Sequence, residues 1–227
     1  MHYWKECGDF FLQCRRHFRS TGAILPSTRF LGRALVSELR KPHCPAHVLE
    51  VGPGTGSVTR EILRYLRPGD CLDLVEINGD FVRGLTRRFE QDREFWPHRE
   101  RVVIHEMGVE KLPGEGVYDY IVSGLPLNSF PVGQVREIFN AYDRLLKPGG
   151  TLTYYEYVFI RQLTTPFVDR RERRRLACVG RVVGGYIRDF QVRRERIFIN
   201  VPPATVRHLR LKPAARVSAP AATLQPS

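Results

Sequence analysis

Five consecutive residues and one carboxylate have the clearest capacity for chemistry in this sequence. Gly52, Pro53, Gly54, Thr55 and Gly56 follow directly on the apolar run HVLEV, and Glu76 closes the next apolar run, CLDLVEI. Glycines let a backbone turn sharply and approach a ligand where any side chain would collide. A carboxylate about twenty residues beyond such a turn, at the end of the second strand, can accept hydrogen bonds from both hydroxyls of a ribose. Together they point to an adenosine-containing cofactor.

These groups need a scaffold that sets strand ends side by side, and the remaining pattern predicts one. HVLEV, CLDLVEI, RVVIHEM, YDYIVSG and TLTYYEYVF are short apolar runs. Helical segments near 58–66 and 80–89 alternate with them, as does a third in which Val135, Ile138, Phe139, Tyr142, Leu145 and Leu146 share a face before KPGG stops it. Strand–helix alternation predicts an α/β fold with a mostly parallel sheet covered by helices on both faces. Beyond Arg161 the pattern weakens: DRRERRRL (169–176) reads as a surface helix or loop and RERIFINV as a late strand.

The glycine loop does not have the G-x-G-x-x-G spacing whose helix N-terminus receives a pyrophosphate. S-adenosylmethionine (SAM), which carries no phosphate, therefore fits better than a dinucleotide. EVGPGTG, LDLVEIN and the LLKPGG turn resemble three motifs of the Rossmann-like class I SAM-dependent methyltransferases, over about 48–153. The resemblance implies a seven-stranded sheet with added N-terminal helices. It implies that Gly52, Gly54 and Gly56 lie against the methionine part of SAM, that Glu76 holds the ribose and that Ile77 lies on the adenine. Glu50, Pro53, Gly108, Val109 and Ser123 also fall at cofactor positions. The sequence departs from the family after the third strand, where many members carry an acidic residue near the adenine amino group. MGVEKLP offers Met107, Gly108 and Val109 there, leaving backbone groups, Glu106 or Glu110 as candidates.

Methyl transfer from a sulfonium is an in-line displacement, which asks the protein to align a nucleophile and keep an amine unprotonated. The segment after the fourth strand, VSGLPLNSFP, bears on the acceptor. The rRNA adenine dimethyltransferases have Asn-Leu-Pro-Tyr at a related strand end, where an amide holds the target amine and an aromatic ring stacks on the flipped base. Here those positions are Gly124, Leu125, Pro126 and Leu127, so both base-holding groups are missing. SGLPL followed by FP, with GAILPST earlier and NVPPATVRHLR later, resembles instead the bacterial phospholipid N-methyltransferases, over about 22–210. That resemblance implies methylation of phosphatidylethanolamine toward phosphatidylcholine, or of another aminolipid such as an ornithine lipid. RNA base methylation and a non-catalytic SAM-binding module remain the alternatives. No residue stands out as the general base. Tyr154, Tyr155, Glu156 and Tyr157 are candidates to hold an ammonium through ring faces or a carboxylate, with strand packing as the plainer account.

An enzyme of lipid headgroups must reach a bilayer, and the ends of the chain have suitable chemistry. Trp4, Cys7, Phe11, Cys14 and Phe18 recur at helical spacing, with Arg15, Arg16 and Arg19 at the border. Such a segment can insert Trp4, Phe11 and Phe18 while its arginines meet phosphates, or can dock on the protein's own core. The net charge of +12 is uneven: 1–46 carry +5, 47–160 carry −4 and 161–227 carry +11. Basic flanks suit an anionic membrane or nucleic acid, or are simply solvated; the acceptor motif favours the membrane. No apolar run reaches the roughly 18 residues of a membrane span and no signal peptide is visible. The five cysteines share no CxxC spacing, so no metal site is expected. The expected organisation is N-terminal helices over 1–46, a SAM-binding domain over 47–212 and a disordered tail over 213–227, in a cytoplasmic protein peripherally attached to the inner face of the membrane.

Overall fold

A computed structural model describes residues 26–41, 45–157, 170–199 and 203–211. The amphipathic segment carrying Trp4, Phe11, Arg15, Arg16, Phe18 and Arg19 lies outside the described residues, as does the tail from 213.

Seven strands form one sheet: β1 (His47–Val51), β2 (Cys71–Glu76), β3 (Val102–Glu106), β4 (Tyr118–Ser123), β5 (Leu146–Tyr157), β6 (Gln191–Ile197) and β7 (Ala204–Leu209). Their order is β3-β2-β1-β4-β5-β7-β6, with β7 alone antiparallel to its neighbours. The mostly parallel sheet expected from the alternation is therefore present. Chain order reverses between β1 and β4, the switch point outside which open α/β sheets bind ligands at the strands' carboxyl ends.

Period-two alternation divides the core. Leu49, Val51, Ile121, Leu152 and Tyr154 face one side, under α4 (Val132–Leu145) and α5 (Arg170–Phe190). Val48, Leu72, Leu74, Val122 and Val206 face the other, under α1 (Pro26–Leu35), α2 (Ser57–Leu63) and α3 (Gly79–Gln91). Both faces are covered, which accounts for the nearly continuous apolar strands. Among the described residues no helix is long and apolar enough to cross a membrane.

Two elements differ from the sequence pattern. Phe30, Leu31, Ala34, Leu35 and Leu39 recur at helical spacing, but α1 ends at Leu35 and a 3-10 turn covers Ser37–Arg40, with Phe30 left 39% exposed. DRRERRRL is mostly the opening of a 21-residue helix, α5. Gly180, Gly184 and Gly185 weaken its helical signal, since glycine is a poor helix former. Tertiary packing supplies what propensity does not, through the buried Val179 and Val183.

Candidate functional site

At the switch point the carboxyl ends of β1, β2 and β4 and the start of α4 enclose an open cleft of about 630 Å³, mouth included. Val51, Gly52, Val75, Glu76 and Ile77 form one wall, Met107 to Glu110 the floor, and Leu125, Phe130, Gln134 and Ile138 the opposite wall.

Gly52 bends away from β1 with φ +72°, and a Cβ there would lie 2.7 Å from Leu125 Cδ2. The two loops are in backbone contact as well: Gly124 N donates to Val51 O at 2.8 Å, and a Cβ on Gly124 would sit 2.8 Å from Gly52 O. Glycine is thus needed on both sides of the crossing. This explains why position 124 holds no asparagine: any side chain would push the loop after β4 off the glycine turn.

Glu76 is almost fully buried, with Oε2 accepting from Gly54 N at 3.0 Å and Oε1 from Asn78 N at 2.9 Å. A carboxylate presents about four acceptor positions, so these bonds aim it and leave capacity for ligand hydroxyls. Arg88, from α3, steadies the loop from behind. Its Nη1 donates to Thr55 O at 2.8 Å, its Nη2 to Asp92 at 2.8 Å, and its guanidinium stacks 3.8 Å from the centre of Phe95. The Arg88 bond holds the Asp92 carboxyl below its ordinary range. Nothing in the local sequence marks Arg88, because it reaches the loop across 33 residues.

Ile77, a large apolar side chain left 48% exposed, lies in the cleft wall where a flat ligand would cover it. Gly108 and Val109 also line the cleft. Of the two acidic candidates there, Glu110 lines the cleft and its Oε1 is buried without a hydrogen-bond partner. Glu106 is exposed and lies against Gly79 at the start of α3. Gly54 and Gly56, both at positive φ, shape the turn behind the lining, with Pro53 between Gly52 and Gly54, and Glu50 is buried in β1.

Several expected residues are placed elsewhere. Ser123 is fully buried behind the wall; its Oγ accepts from Tyr142 Oη at 2.7 Å and from Leu125 N at 3.3 Å. Its side chain thus ties β4 to α4 rather than facing the cleft. None of Tyr154, Tyr155, Glu156 and Tyr157 lines the cleft. Tyr154 packs edge-on against Phe139 in the core, where burial drives its hydroxyl far above the ordinary tyrosine pKa. Glu156 accepts from Arg207 Nε at 2.8 Å. Tyr155 and Tyr157 pack on each other, ring centres 5.1 Å apart, on the opposite face. Strand alternation separates the four. Phe130, Gln134 and Ile138 take the place expected for them. Only the Phe-Pro pair at 130–131 hinted at this in the sequence.

The loop carrying Phe130 is clamped from α5. Arg175 donates from Nη1 to Phe130 O at 2.6 Å and from Nη2 to Asn128 O at 2.9 Å. Leu127 of the same loop is buried in the core. Among the described residues no group of three or more His, Cys, Asp or Glu is placed to hold a metal ion.

Comparison with known proteins agrees with this geometry. A family profile described as "Methyltransferase domain" matches residues 48–150. An ornithine lipid N-methyltransferase of Singulisphaera acidiphila is 31% identical over 151 residues, 63% of this chain and 75% of that protein. A highly reducing polyketide synthase of Aspergillus terreus is 32% identical over 145 residues, but the match spans only 6% of that much longer protein. Among solved structures, the chain is similar to the 1,6-didemethyltoxoflavin N1-methyltransferase of Burkholderia thailandensis, which has bound S-adenosylhomocysteine. The TM-score is 0.60 and the identity 18%, over 93% of this chain and 90% of that one. It also resembles a geranyl diphosphate C-methyltransferase of Streptomyces coelicolor (TM-score 0.56, 12% identity, 80% of this chain and 78% of that one). At these identities the structural likenesses concern the fold.

Proposed function

Since the chain belongs to the class I SAM-dependent methyltransferases, we propose that it transfers the methyl group of SAM to the amine of a membrane aminolipid headgroup, at the cleft outside β1, β2 and β4. The observation that carries the acceptor assignment is its similarity to an ornithine lipid N-methyltransferase over three-quarters of that protein. Ornithine lipid and phosphatidylethanolamine are the two substrates in view. The loop after β4 supports the reading: Leu127 is packed into the core and Gly124 has no room for a side chain, so neither base-holding position of an RNA adenine methyltransferase is available.

The cleft fits the cofactor in three ways. Glu76 is aimed by two backbone N–H groups to receive the ribose, Ile77 offers an apolar surface to adenine, and the buried Glu110 Oε1 can accept from the adenine amino group. Gly52, without a Cβ, lets the ligand lie against the turn, and Gly108 and Val109 complete the purine side. Bound there, SAM would supply an electrophilic methyl group for transfer to the unprotonated amine, leaving S-adenosylhomocysteine, with the proton of the resulting ammonium passing to solvent. The chain's own residues hold the reactants in line and keep water out through Leu125, Phe130 and Ile138. Reversible attachment to the inner face of the membrane, with residues 1–20 as one anchor, would bring the enzyme to its substrate.

Purified protein incubated with methyl-labelled SAM and either aminolipid vesicles or RNA tests the reading. Label is expected in the lipid; label in RNA alone would overturn it. Mass spectrometry of lipids from a host expressing the chain identifies the headgroup.

A further inference from the structure

The carboxyl edge of the sheet has a second feature beyond the cleft. In the row that ends the sheet, Tyr157 pairs with Ala204 and Ala204 with Ile197, so β6 leaves the sheet at the same edge as β4 and β5. The next two residues, Phe198 and Ile199, are 67% and 63% exposed, the highest values among the exposed large apolar side chains of the described residues. They cover no part of the core.

Cationic groups share this edge. Arg194 and Arg196 on β6 are exposed. The orientation of α5 brings more. Its last residue, Phe190, accepts from Arg210 N beyond the inner end of β7, whereas Arg175 near its start holds the loop after β4. The helix therefore runs from the carboxyl edge to the opposite one, and the exposed Arg170, Arg171 and Arg174 at its start share the edge with Phe198 and Ile199. Nearby, Glu156 is engaged by Arg207. Exposed aromatic and aliphatic groups on an edge that also carries exposed arginines match an anionic bilayer surface in both respects: the apolar pair can enter the acyl boundary while guanidinium groups meet lipid phosphates.

We propose that Phe198 and Ile199, the residues that follow β6, with Arg194 and Arg196 beside them and the arginines at the start of α5 on the same edge, insert into the surface of an anionic membrane and set the cleft's rim against the lipid headgroups. This deepens the aminolipid reading and rests on it for its purpose. The contact itself can be measured without catalysis. It is separate from any anchor in residues 1–20, and it fixes orientation, which a single amphipathic segment does not.

The test places a reporter in the full chain, Phe198→Trp with Trp4→Phe and Trp96→Phe, on vesicles of phosphatidylcholine with phosphatidylglycerol. A blue-shifted emission, quenched by brominated acyl chains, is expected; unshifted and unquenched emission overturns the proposal. Phe198→Glu with Ile199→Glu should weaken cosedimentation with these vesicles about tenfold. It should also lower methylation of vesicle-borne aminolipid, while leaving S-adenosylhomocysteine affinity and methylation of detergent-dispersed aminolipid unchanged. Unchanged cosedimentation and vesicle activity overturn the proposal. If that variant does not fold, the tryptophan reporter decides alone. A quenched reporter in a protein that methylates no aminolipid, in vesicles or detergent, keeps the insertion and removes the substrate reading.

Discussion

Replacing Glu76 by Ala removes the charge-assisted acceptors proposed to hold the ribose and frees Gly54 N and Asn78 N from their partner. S-adenosylhomocysteine affinity should fall about tenfold to a hundredfold by titration calorimetry; unchanged affinity would take Glu76 out of the site. Gly52→Ala strains a backbone at φ +72° and drives a methyl group into Leu125, so it should cost about 1–2 kcal/mol in denaturant unfolding and abolish cofactor binding. Both residues were legible in the sequence, because a glycine turn and a carboxylate at a fixed distance are local pattern. Gly124 was legible only as a missing asparagine. The structure makes it a requirement of its own, since the chain crosses Gly52 there with no space for a Cβ. Tyr154 to Tyr157 show the opposite limit. Their composition suggested a site, but a period of two fixes which residues share a face and not which face meets the cleft.

At the scale of elements, the loop after β4 depends on a helix some 45 residues later in the chain. Arg175→Ala should release the carbonyls of Phe130 and Asn128 and lower kcat/KM for the proposed aminolipid acceptor about tenfold, with S-adenosylhomocysteine affinity little changed. Arg175→Lys keeps the charge but loses the planar fork, so only part of the activity should return; full recovery would mean that charge alone matters. The same helix has slack in its middle. A Cβ at Gly184 or Gly185 meets nothing within 4 Å, so Gly185→Ala should raise stability by about 0.5–1 kcal/mol in urea unfolding. The mostly parallel sheet could be anticipated from the alternation of strands with helices, and six of its strands were read from apolar runs, β7 being the one that was not. The length of α5 could not, because its glycines obscure the period and its stability comes from Val179 and Val183 packing beneath it.

Across the whole molecule, a buried polar chain links the region before β1 to the last strands. His208 on β7 is fully buried, with Nδ1 3.0 Å from Thr153 Oγ1 and Nε2 3.0 Å from Glu195 Oε1, which also accepts from Ser37 Oγ at 2.8 Å. Burial lowers the His208 pKa below its ordinary 6.5 and Arg193 adds to this, against the opposing pull of Glu195 and Glu38. The neutral ring therefore donates from Nε2 to the carboxylate and accepts at Nδ1 from the threonine. The unfolded chain binds this proton more readily than the folded one. The stabilisation is thus fully present above pH 6.5 and is lost progressively as the pH falls below it. Thermal unfolding should show Tm declining from about pH 6.5 downward, and His208→Gln should flatten that part of the profile; an equal slope in both proteins would assign the decline elsewhere. None of this was visible in the sequence, because its members are contributed by four separate elements. The position of β7 has a further consequence during synthesis. It is the last of these strands to leave the ribosome, yet it supplies the ladder between β5 and β6. Until Ala204–Leu209 emerges, the nascent chain has an open edge on β5 and no sheet partner for β6, a form open to intermolecular strand pairing and to chaperone capture.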